Sequence, residues 1–514
     1  MQARNHIFGL SSVSLIIILA AAVKFALHMY IDPSYGFFMD EFYTIALSQH
    51  LAFGYVDLPP LVPALVALSR ALLGESLLAL HIVPALAGSA TLIFVCLIAK
   101  EFGGKAFAVL VSALGFLFVP LWLNSNSIFC YDSIDQLVLA GFLYVLVRFL
   151  RSGNKRLWLV LGLIAGIACM TKMTILFLGP GFLVALLLSK YRKDLLTPWP
   201  WLGGVLCVVI VSPYLFWQID NQWPTLDYWN NYGTIRVYEA SLSQYFTNIL
   251  IYMNPFLMPL WIAGLYRIFR KLNGVNYRFL GILFLVTLVL QFELHATVRM
   301  LGTLFIPLIA AGAVFVEEML TGIRWEKGLQ VASTAYLLII GIYIVPMSLP
   351  ILPMDTFLVY SQPAKPLYQS LREFNGGMSY YPVFLAGRMG WDELAQGVAT
   401  VYNQLPEEER AVAGIYAGWY MHAGAIDVLG PQYGLPHAVS GSLTYYLWGP
   451  GYSWDVMIII GGITNPLSMF FDSCEMKVTV SQEYNSQHGY TRIYVCRQPK
   501  ISADEIWSSL KSYR

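Results

Sequence analysis

The chain has 514 residues, of which 57% are hydrophobic and only 12% are charged. A soluble protein has about 25% charged residues, so this composition, with a mean hydropathy of +0.61, excludes an ordinary soluble enzyme and indicates a polytopic membrane protein. The formal net charge is +1, from 31 basic and 30 acidic residues. The overall charge therefore gives no reason to expect a nucleic acid as a partner.

Apolar runs long enough to cross a bilayer fill most of the first 350 residues. A helix of about 20 apolar residues spans roughly 30 Å of hydrocarbon. By that measure the sequence predicts eleven transmembrane helices, near 9–30, 78–98, 106–123, 136–150, 157–173, 174–189, 201–217, 248–266, 279–293, 300–316 and 329–347. We find no internal repeat of the inverted kind that many secondary transporters carry.

Basic residues predict the orientation of these helices, because the loops rich in Lys and Arg face the cytoplasm. Five basic residues before residue 348 fall on the opposite side or at its rim, namely Lys24, Arg70, Lys172, Arg236 and Arg299. Sixteen fall in the other set of alternate loops, namely Arg4, Lys100, Lys105, Arg148, Arg151, Lys155, Arg156, Lys190, Arg192, Lys193, Arg267, Arg270, Lys271, Arg278, Arg324 and Lys327. The sequence therefore predicts a cytoplasmic N-terminus and an extracytoplasmic C-terminal region.

Acidic residues show the reverse bias, which topology rules do not require. Eleven carboxylates fall in the predicted outer loops or at outer helix ends: Asp32, Asp40, Glu41, Asp57, Glu75, Asp132, Asp135, Asp220, Asp227, Glu239 and Glu293. This accumulation suggests a functional site that faces outward.

From near residue 350 the sequence becomes rich in Gly, Pro, Tyr and charged residues, and β-type runs appear at 456–460, 476–480 and 491–496. We therefore predict a transmembrane domain over 1–348 and an extracytoplasmic α/β domain over 349–514. Cys474 and Cys496 flank what looks like a two-stranded segment in this outer domain. Oxidation is permitted there, so a disulfide and two free thiols both remain open.

The first outer loop carries two amphipathic runs that look like helices lying on the membrane surface. Asp40 and Glu41 open the first run, and Asp57 opens the second, which ends near Arg70. The simplest reading of Asp40 and Glu41 is helix capping, since acids favour a helix N-terminus. The other charged residues that face outward favour a catalytic role for Asp40 and Glu41.

Further charges lie at the same outer rim. Asp132 and Asp135 are three residues apart, so a helix places them on one face. Lys172 stands between two spans with almost no loop, and His295 and Arg299 follow another span. Lys172 could simply snorkel from a helix end, or it and Arg299 could pair with Asp135 or Glu293. Carboxylates beside separate cations also fit a base that activates a nucleophile while cations hold a phosphate leaving group.

A family resemblance extends from near residue 30 to near 460, through the runs DEFYTIAL, GYVDLPPL, SLLALHIVPALAG, SIDQLVL, TKMTILFLGPG, SPYLFWQIDNQWPTLDYW and AGAIDVLGPQYGLPHAVSG in that order. The ordered set resembles the bacterial glycosyltransferases related to protein O-mannosyltransferases and to the lipid A aminoarabinose transferases. These are integral-membrane enzymes of the GT-C fold. The resemblance implies an inverting transfer of one sugar, a hexose or a pentose, from a polyprenyl-phosphate carrier to an acceptor on the outer face of the cytoplasmic membrane.

The resemblance also assigns roles to residues. Asp40 matches the family's catalytic Asp of the first loop, with Glu41 beside it, and Asp135 matches its second acidic position. Lys172 matches the basic residue of the TK motif, while Arg299, with His295 nearby, stands where a Lys-x-Tyr-Tyr run is expected. We therefore assign Asp40, Glu41 and Asp135 to catalysis and Lys172, Arg299 and His295 to the donor phosphate. Asp57, Asp132 and His422 are assigned to the acceptor or the sugar, although the motif around His422 departs from the family's.

The implied partners are a polyprenyl-phosphate sugar, membrane lipid and an acceptor that is a lipid, a glycan or a protein. No metal is expected to be required, although Asp40, Glu41 and Asp135 could ligate a hard divalent cation. Two alternatives remain, a secondary transporter and a protein that binds a lipid-linked sugar without catalysis. The transporter would place its charges near the middle of the membrane, whereas here they gather at the outer rim.

Overall fold

The computed structural model describes residues 11–235, 241–369, 382–461, 467–481 and 490–513. Arg4, Arg236 and Glu239, which contributed to the predicted charge bias, lie outside these ranges. The α-helices are α1 Ser12–Met29, α2 Met39–Gln49, α3 Leu61–Leu73, α4 Leu77–Glu101, α5 Ala106–Leu117, α6 Pro120–Ser125, α7 Tyr131–Ser152, α8 Leu157–Thr171, α9 Thr174–Leu187, α10 Pro198–Asp220, α11 Pro224–Ile235, α12 Leu242–Tyr252, α13 Met258–Ile268, α14 Arg278–Glu293, α15 Phe305–Leu320, α16 Glu326–Ser348, α17 Met354–Tyr360, α18 Lys365–Gln369, α19 Val383–Ala386, α20 Trp391–Asn403, α21 Glu407–Val412, α22 Tyr420–Leu429 and α23 Ala503–Ser509. The strands are β1 Lys271–Leu272, β2 Val275–Asn276, β3 Gly414–Ala417, β4 Ala438–Val439, β5 Val456–Ile460, β6 Phe471–Ser481 and β7 Tyr490–Pro499.

Short 3₁₀ helices complete the described secondary structure. They are Lys190–Leu196, Pro255–Leu257, Val298–Leu304, Gln362–Ala364, Gly430–Tyr433, Leu443–Trp448 and Leu467–Met469. The segment Val298–Leu304 leads directly into α15, so the two together form one long apolar helix.

The chain folds into two compact units that interleave along the sequence. Of the described residues, the first unit takes 11–32, 78–215 and 241–369, and the second takes 33–77, 216–235, 382–461, 467–481 and 490–513. This division groups residues by compactness and does not test where the membrane ends, so the predicted boundary at residue 348 stays a prediction.

Helices occupy all eleven segments that hydropathy predicts to cross the membrane. In the part of the chain that the structure describes, six of them are long and apolar enough to cross by themselves, and two bent pairs raise the number to eight. Their lengths confirm a multi-pass helical membrane protein. The count of eleven crossings stays a prediction, because α5 and α8 are apolar but shorter.

Close helix packing in the first unit depends on small residues. At the crossing of α13 and α15, a Cβ atom on Gly264 would lie 1.7 Å from the Leu308 carbonyl oxygen. A Cβ on Gly312 would lie 2.0 Å from the carbonyl oxygen of Leu260. Only glycine lets the two backbones approach this closely, as in many membrane helix pairs. Between membrane helices such close packing contributes to association, because the hydrophobic effect does not drive the helices together.

The second unit is built on a five-stranded sheet in the order β4-β3-β5-β7-β6. Strands β4, β3 and β5 run parallel, and β7 runs antiparallel to both β5 and β6. The three β-type runs predicted from sequence correspond to β5, β6 and β7. All five residues of β5 are buried, which is typical of a central strand covered on both faces. The prediction of a C-terminal α/β region is confirmed.

A disulfide links the last two strands. Cys474 on β6 and Cys496 on β7 are direct cross-strand neighbours, and the structure joins them with their Cα atoms 4.1 Å apart. The sequence left this pairing open. Register explains it, because two antiparallel strands bring the side chains of opposed residues together on one face.

The predicted orientation can be checked with single cysteines on two exposed loops. Asn273 lies in the turn between β1 and β2, and Glu408 lies on α21; both are exposed. We expect Glu408→Cys to react with an impermeant maleimide in intact cells and Asn273→Cys to react only after permeabilisation, because sixteen basic residues mark the side of Asn273 as cytoplasmic. The parent chain with its four free cysteines gives the background. Reversed labelling would contradict the orientation.

Candidate active site

A polar pocket lies in the first unit and encloses about 470 Å³ of empty space, including its open mouth. Residues from four segments of the chain line it: Leu121, Trp122, Asn124, Ser125, Asp132, Asp135, Gln136, Lys172, Thr174, Arg299, Met300 and Thr303. Four of the residues that the sequence assigned to the site, Asp132, Asp135, Lys172 and Arg299, are therefore brought together here.

The two carboxylates come from the beginning of α7. Cys130 precedes this helix in an extended conformation, and Asp132 lies in the first turn, where the helix dipole favours a negative charge. Asp135 follows one turn later on the same face, as the spacing predicts. Asp135 is 5% exposed, so its carboxylate is withdrawn from solvent while still lining the pocket.

Lys172 carries the first cation and stands in the break between α8 and α9. Its backbone is extended, with φ −159° and ψ 145°, which lets the chain reverse between the two helices. Its ammonium donates a 2.6 Å hydrogen bond to Asp132 Oδ1 and lies 4.4 Å from the centre of the Tyr131 ring. The sequence suggested Asp135 or Glu293 as an ion-pair partner of the cations; the structure instead pairs Lys172 with Asp132.

Arg299 supplies the second cation from the 3₁₀ segment before α15. It lies near enough to Asp132 to interact electrostatically with it. His295 is not among the residues that line the pocket; it is exposed in the turn after α14, with a positive φ of 50°. Its assignment to the donor phosphate stays a prediction without support from the pocket.

One wall of the pocket is α6, and buried polar side chains hold its backbone. Lys24 is fully buried on α1, and its ammonium donates a 3.0 Å hydrogen bond to the carbonyl oxygen of Trp122. The Nε2 atom of His28, one turn further along α1, lies 3.1 Å from the carbonyl oxygen of Leu123. Because the carbonyls in the last turn of a helix have no partners within it, these two contacts fix the orientation of α6.

The remaining predicted residues belong to the second unit. Asp40 and Glu41 lie in the first turn of α2. Glu41 is buried, and its Oε2 accepts a 2.7 Å hydrogen bond from the backbone N–H of Phe38. The capping interpretation therefore holds for Glu41, and its catalytic role stays a prediction. Asp40 is half-buried, and its Oδ1 accepts a 3.1 Å hydrogen bond from the hydroxyl of Tyr420.

Asp57 lies in the loop between α2 and α3 and is oriented by Tyr43. The Tyr43 hydroxyl donates a 2.6 Å hydrogen bond to Asp57 Oδ1 and lies 2.9 Å from Thr444 Oγ1. Burial raises the pKa of Tyr43 well above its ordinary value, and the Asp57 carboxylate raises it further. Tyr43 therefore remains a hydrogen-bond donor to Asp57 at any physiological pH.

His422 lies on α22 and is 1% exposed. Its ring centre lies 5.7 Å from that of Trp391 on α20. A side chain this deeply buried contacts other parts of the second unit rather than solvent, so a role in binding an acceptor stays a prediction.

Comparison with known proteins places these features in a fold class. Residues 57–217 match a family model described as dolichyl-phosphate-mannose-protein mannosyltransferase. The structure is similar to ArnT from Cupriavidus metallidurans bound to undecaprenyl phosphate, with a TM-score of 0.58 and 15% identity over 94% of this chain and 97% of ArnT. The apo form of the same ArnT gives a TM-score of 0.57 at 14% identity, with the same coverage of both chains. The chain has the GT-C fold.

A third similar structure is that of the arabinofuranosyltransferase AftD from Mycobacteria, with a TM-score of 0.50 and 12% identity over 94% of this chain and 40% of AftD. A comparison with curated protein sequences finds no significant match. The resemblance to GT-C glycosyltransferases that the ordered motifs indicated is confirmed. At identities this low the GT-C structures show the fold alone, and the chemistry has to be argued from the chain's own residues.

Sequence reasoning missed several residues of the site. Gln136 and Thr174 line the pocket next to residues that had been selected, Asp135 and Lys172. Their neighbours in sequence were the only signal that could have found them. Tyr420 contacts Asp40 across 380 residues of sequence, and a single sequence contains no signal for that pairing.

Within the residues that the structure describes, no group of three or more His, Cys, Asp or Glu side chains is arranged to hold a metal ion. Lys172 and Arg299 line the same pocket as Asp132 and Asp135, and their positive charges would repel a metal ion placed beside these carboxylates. The expectation that this GT-C protein needs no metal stays a prediction.

Proposed function

We propose that the protein is an integral-membrane inverting glycosyltransferase that moves one sugar from a polyprenyl-phosphate carrier to an acceptor hydroxyl on the outer face of the cytoplasmic membrane. The observation that carries this proposal is the pocket in which Lys172 and Arg299 stand beside Asp132 and Asp135. Two cations at the end of a membrane-spanning bundle suit a lipid phosphate, because charge-assisted hydrogen bonds to phosphate are stronger than hydrogen bonds between neutral groups. The ArnT structure with undecaprenyl phosphate supports the choice of carrier.

The proposed reaction is a single displacement. A base removes the proton of the acceptor hydroxyl as its oxygen attacks the anomeric carbon, and the bond between that carbon and the carrier's phosphate oxygen breaks. The electron pair of the broken bond leaves with the polyprenyl phosphate, and attack from the opposite face inverts the anomeric carbon. Cations that neutralise the departing phosphate lower the barrier without any covalent intermediate.

Each of the two units contributes residues to the proposed reaction. In the first unit, Lys172 and Arg299 hold the phosphate. Asp132 orients Lys172 through their 2.6 Å hydrogen bond, a role proposed in place of the acceptor or sugar binding expected from the sequence. In the second unit, Asp40 is the base, because it is the half-buried carboxylate that matches the family's catalytic position and because Glu41 is engaged in capping α2. Tyr420 orients Asp40 through its hydroxyl.

The test is a transfer assay with the purified full chain in lipid vesicles. The donors are undecaprenyl phosphates carrying radiolabelled mannose, glucose, galactose or arabinofuranose, and the acceptors are a lipid extract and a membrane-protein extract. We expect release of undecaprenyl phosphate together with transfer of the label to one extract. Label that crosses the vesicle membrane still attached to its carrier would indicate a transporter. Saturable binding with no release would indicate a protein that binds lipid-linked sugars without catalysis.

A further inference from the structure

Three buried polar side chains of the first unit's pocket have few hydrogen-bond partners. Within the described residues, Gln136 Nε2 makes no hydrogen bond, and Asp135 Oδ1 and Thr174 Oγ1 have no partner beyond the interaction between these two side chains, although each residue lines the pocket. The three residues are 5%, 4% and 3% exposed. Native proteins rarely leave buried polar atoms without partners, because each then loses its hydration with nothing in return. The free Gln136 amide and the poorly satisfied Asp135–Thr174 pair in one pocket therefore favour a polar ligand.

The neighbours of each of these side chains determine whether it can donate a hydrogen bond to a ligand or accept one from it. Asn126 Nδ2 donates a 2.8 Å hydrogen bond to Gln136 Oε1, which leaves the Gln136 amide nitrogen as the unused donor. Exchanging nitrogen and oxygen on both amides would leave an unused acceptor instead, so Gln136 offers one polar atom in either case. Thr174 begins α9, and its hydroxyl interacts with the Asp135 carboxylate; because a hydroxyl can both donate and accept, it keeps capacity for a further partner.

The residues that line the same pocket differ in chemistry. Lys172 and Arg299 supply positive charge, which suits a phosphate. Asp135, Gln136 and Thr174 add a carboxylate, an amide and a hydroxyl but no cation. A polyprenyl chain is apolar and gives these atoms no partners, whereas each hydroxyl of a sugar can both donate and accept.

We propose that Asp135, Gln136 and Thr174 form a subsite that binds the hydroxyl groups of the donor sugar, beside the cations that hold its phosphate. Asp135 then binds the sugar, in place of the catalytic role that the family resemblance implies. A sugar hydroxyl donates to Asp135 Oδ1, and its neighbours hydrogen-bond to Thr174 Oγ1 and to the Gln136 amide. The identity of the ligand as a lipid-linked sugar rests on the proposed function. The subsite discriminates between sugars because a donor that lacks one of these hydroxyls leaves a buried polar atom unpaired.

Binding measurements with and without the sugar test the subsite. Dissociation constants are measured in detergent for bare undecaprenyl phosphate and for undecaprenyl phosphate carrying mannose, glucose, galactose or arabinofuranose. We expect at least one sugar-bearing lipid to bind the wild-type protein more tightly than the bare lipid. Thr174→Val replaces the hydroxyl by a methyl group of similar size and should weaken binding of that sugar-bearing lipid about 3- to 10-fold, as expected for one neutral hydrogen bond. Binding of the bare lipid should stay within about twofold on the same grounds.

Matched variants separate recognition from packing. Thr174→Ser restores the hydroxyl and should recover most of the preference for the sugar-bearing lipid. Thr287→Val alters another buried threonine of the first unit whose Oγ1 is also unsatisfied but which does not line the pocket, and it should leave both constants unchanged. Gln136→Leu gives a second measurement if Thr174→Val fails to fold, with the same expected loss confined to the sugar-bearing lipid.

Two results would overturn the subsite: no sugar-bearing lipid binds more tightly than bare undecaprenyl phosphate, or Thr174→Val and Gln136→Leu weaken both ligands equally. Failure of the proposed function has a different signature. In that case bare undecaprenyl phosphate does not bind, or Lys172→Ala leaves its binding unchanged.

Discussion

Replacing Asp40 by Asn should abolish sugar transfer while the protein stays folded and still binds its donor. Asn has nearly the shape of Asp, and its side-chain oxygen can still accept the 3.1 Å hydrogen bond from the Tyr420 hydroxyl. The local structure of α2 is therefore retained, and Glu41 continues to cap the helix. What the variant loses is the ability to take up a proton, and the loss of a positioned base typically costs about 10²–10⁴-fold in rate.

Initial rates of transfer at saturating donor measure this effect, and binding of undecaprenyl phosphate shows whether the donor site is intact. Glu408→Gln is the matched control, because it removes an exposed carboxylate of the same unit that has no proposed part in the reaction. Near-normal turnover by Asp40→Asn would show that another group is the base. A loss of donor binding equal to the loss of rate would place Asp40 in donor recognition instead.

The part of this site that could be predicted from sequence is the part encoded locally. Helical spacing puts Asp132 and Asp135 on one face, and a lysine between two apolar runs with almost no loop has to lie at a helix end. Hydropathy located the helices for the same reason, since each apolar run must be long enough to meet the thickness of the hydrocarbon.

Contacts between distant parts of the chain could not be predicted in this way. Nothing in the sequence joins Tyr420 to Asp40, or Lys24 to the carbonyl of Trp122. Lys24 was counted only as a charge at the membrane rim. Its function in holding α6 becomes visible only because the fold buries it fully against that helix.

Buried atoms that lack hydrogen-bond partners also cannot be predicted from the sequence. Gln136 is an ordinary polar residue in the sequence, and Thr174 an ordinary residue at the beginning of a helix. Their significance arises because folding buries both in one pocket, leaves Gln136 Nε2 without a partner in the described structure, and gives the Thr174 hydroxyl no partner beyond Asp135. A composition or a spacing cannot show which hydrogen bonds remain unmade.

The function of Lys172 and Arg299 has two competing explanations, and the structure sharpens the contrast. Lys172 already forms a 2.6 Å ion pair with Asp132, in which the two side chains are 19% and 22% exposed. An ion pair alone would make Lys172 a structural residue. If Lys172 also binds the donor, the phosphate contacts Lys172 and Arg299 while Asp132 keeps the Lys172 ammonium in place.

Lys172→Ala and Arg299→Ala should each raise the apparent donor constant about 10- to 100-fold and change the melting temperature little. That range corresponds to the loss of one charge-assisted hydrogen bond, about 1.5–3 kcal/mol. A purely structural pair predicts the opposite, because removing one partner leaves a carboxylate withdrawn from water without compensation; full burial would cost about 3–5 kcal/mol, and partial exposure reduces that figure. Donor titrations and melting curves on the same preparations distinguish the two outcomes.

A double variant makes the distinction independent of the size of either effect. If the pair is only structural, adding Asp132→Ala to Lys172→Ala removes the stranded carboxylate and should restore the melting temperature, with donor binding normal throughout. If Lys172 holds the phosphate, the double variant still lacks the cation, so its donor constant stays raised whatever the melting curve shows. Lys155→Ala is the control, because Lys155 forms another lysine–aspartate pair of the same unit, 3.6 Å from Asp194, without any proposed contact to the donor. A large loss of melting temperature in Lys172→Ala with unaltered donor affinity would refute the phosphate role.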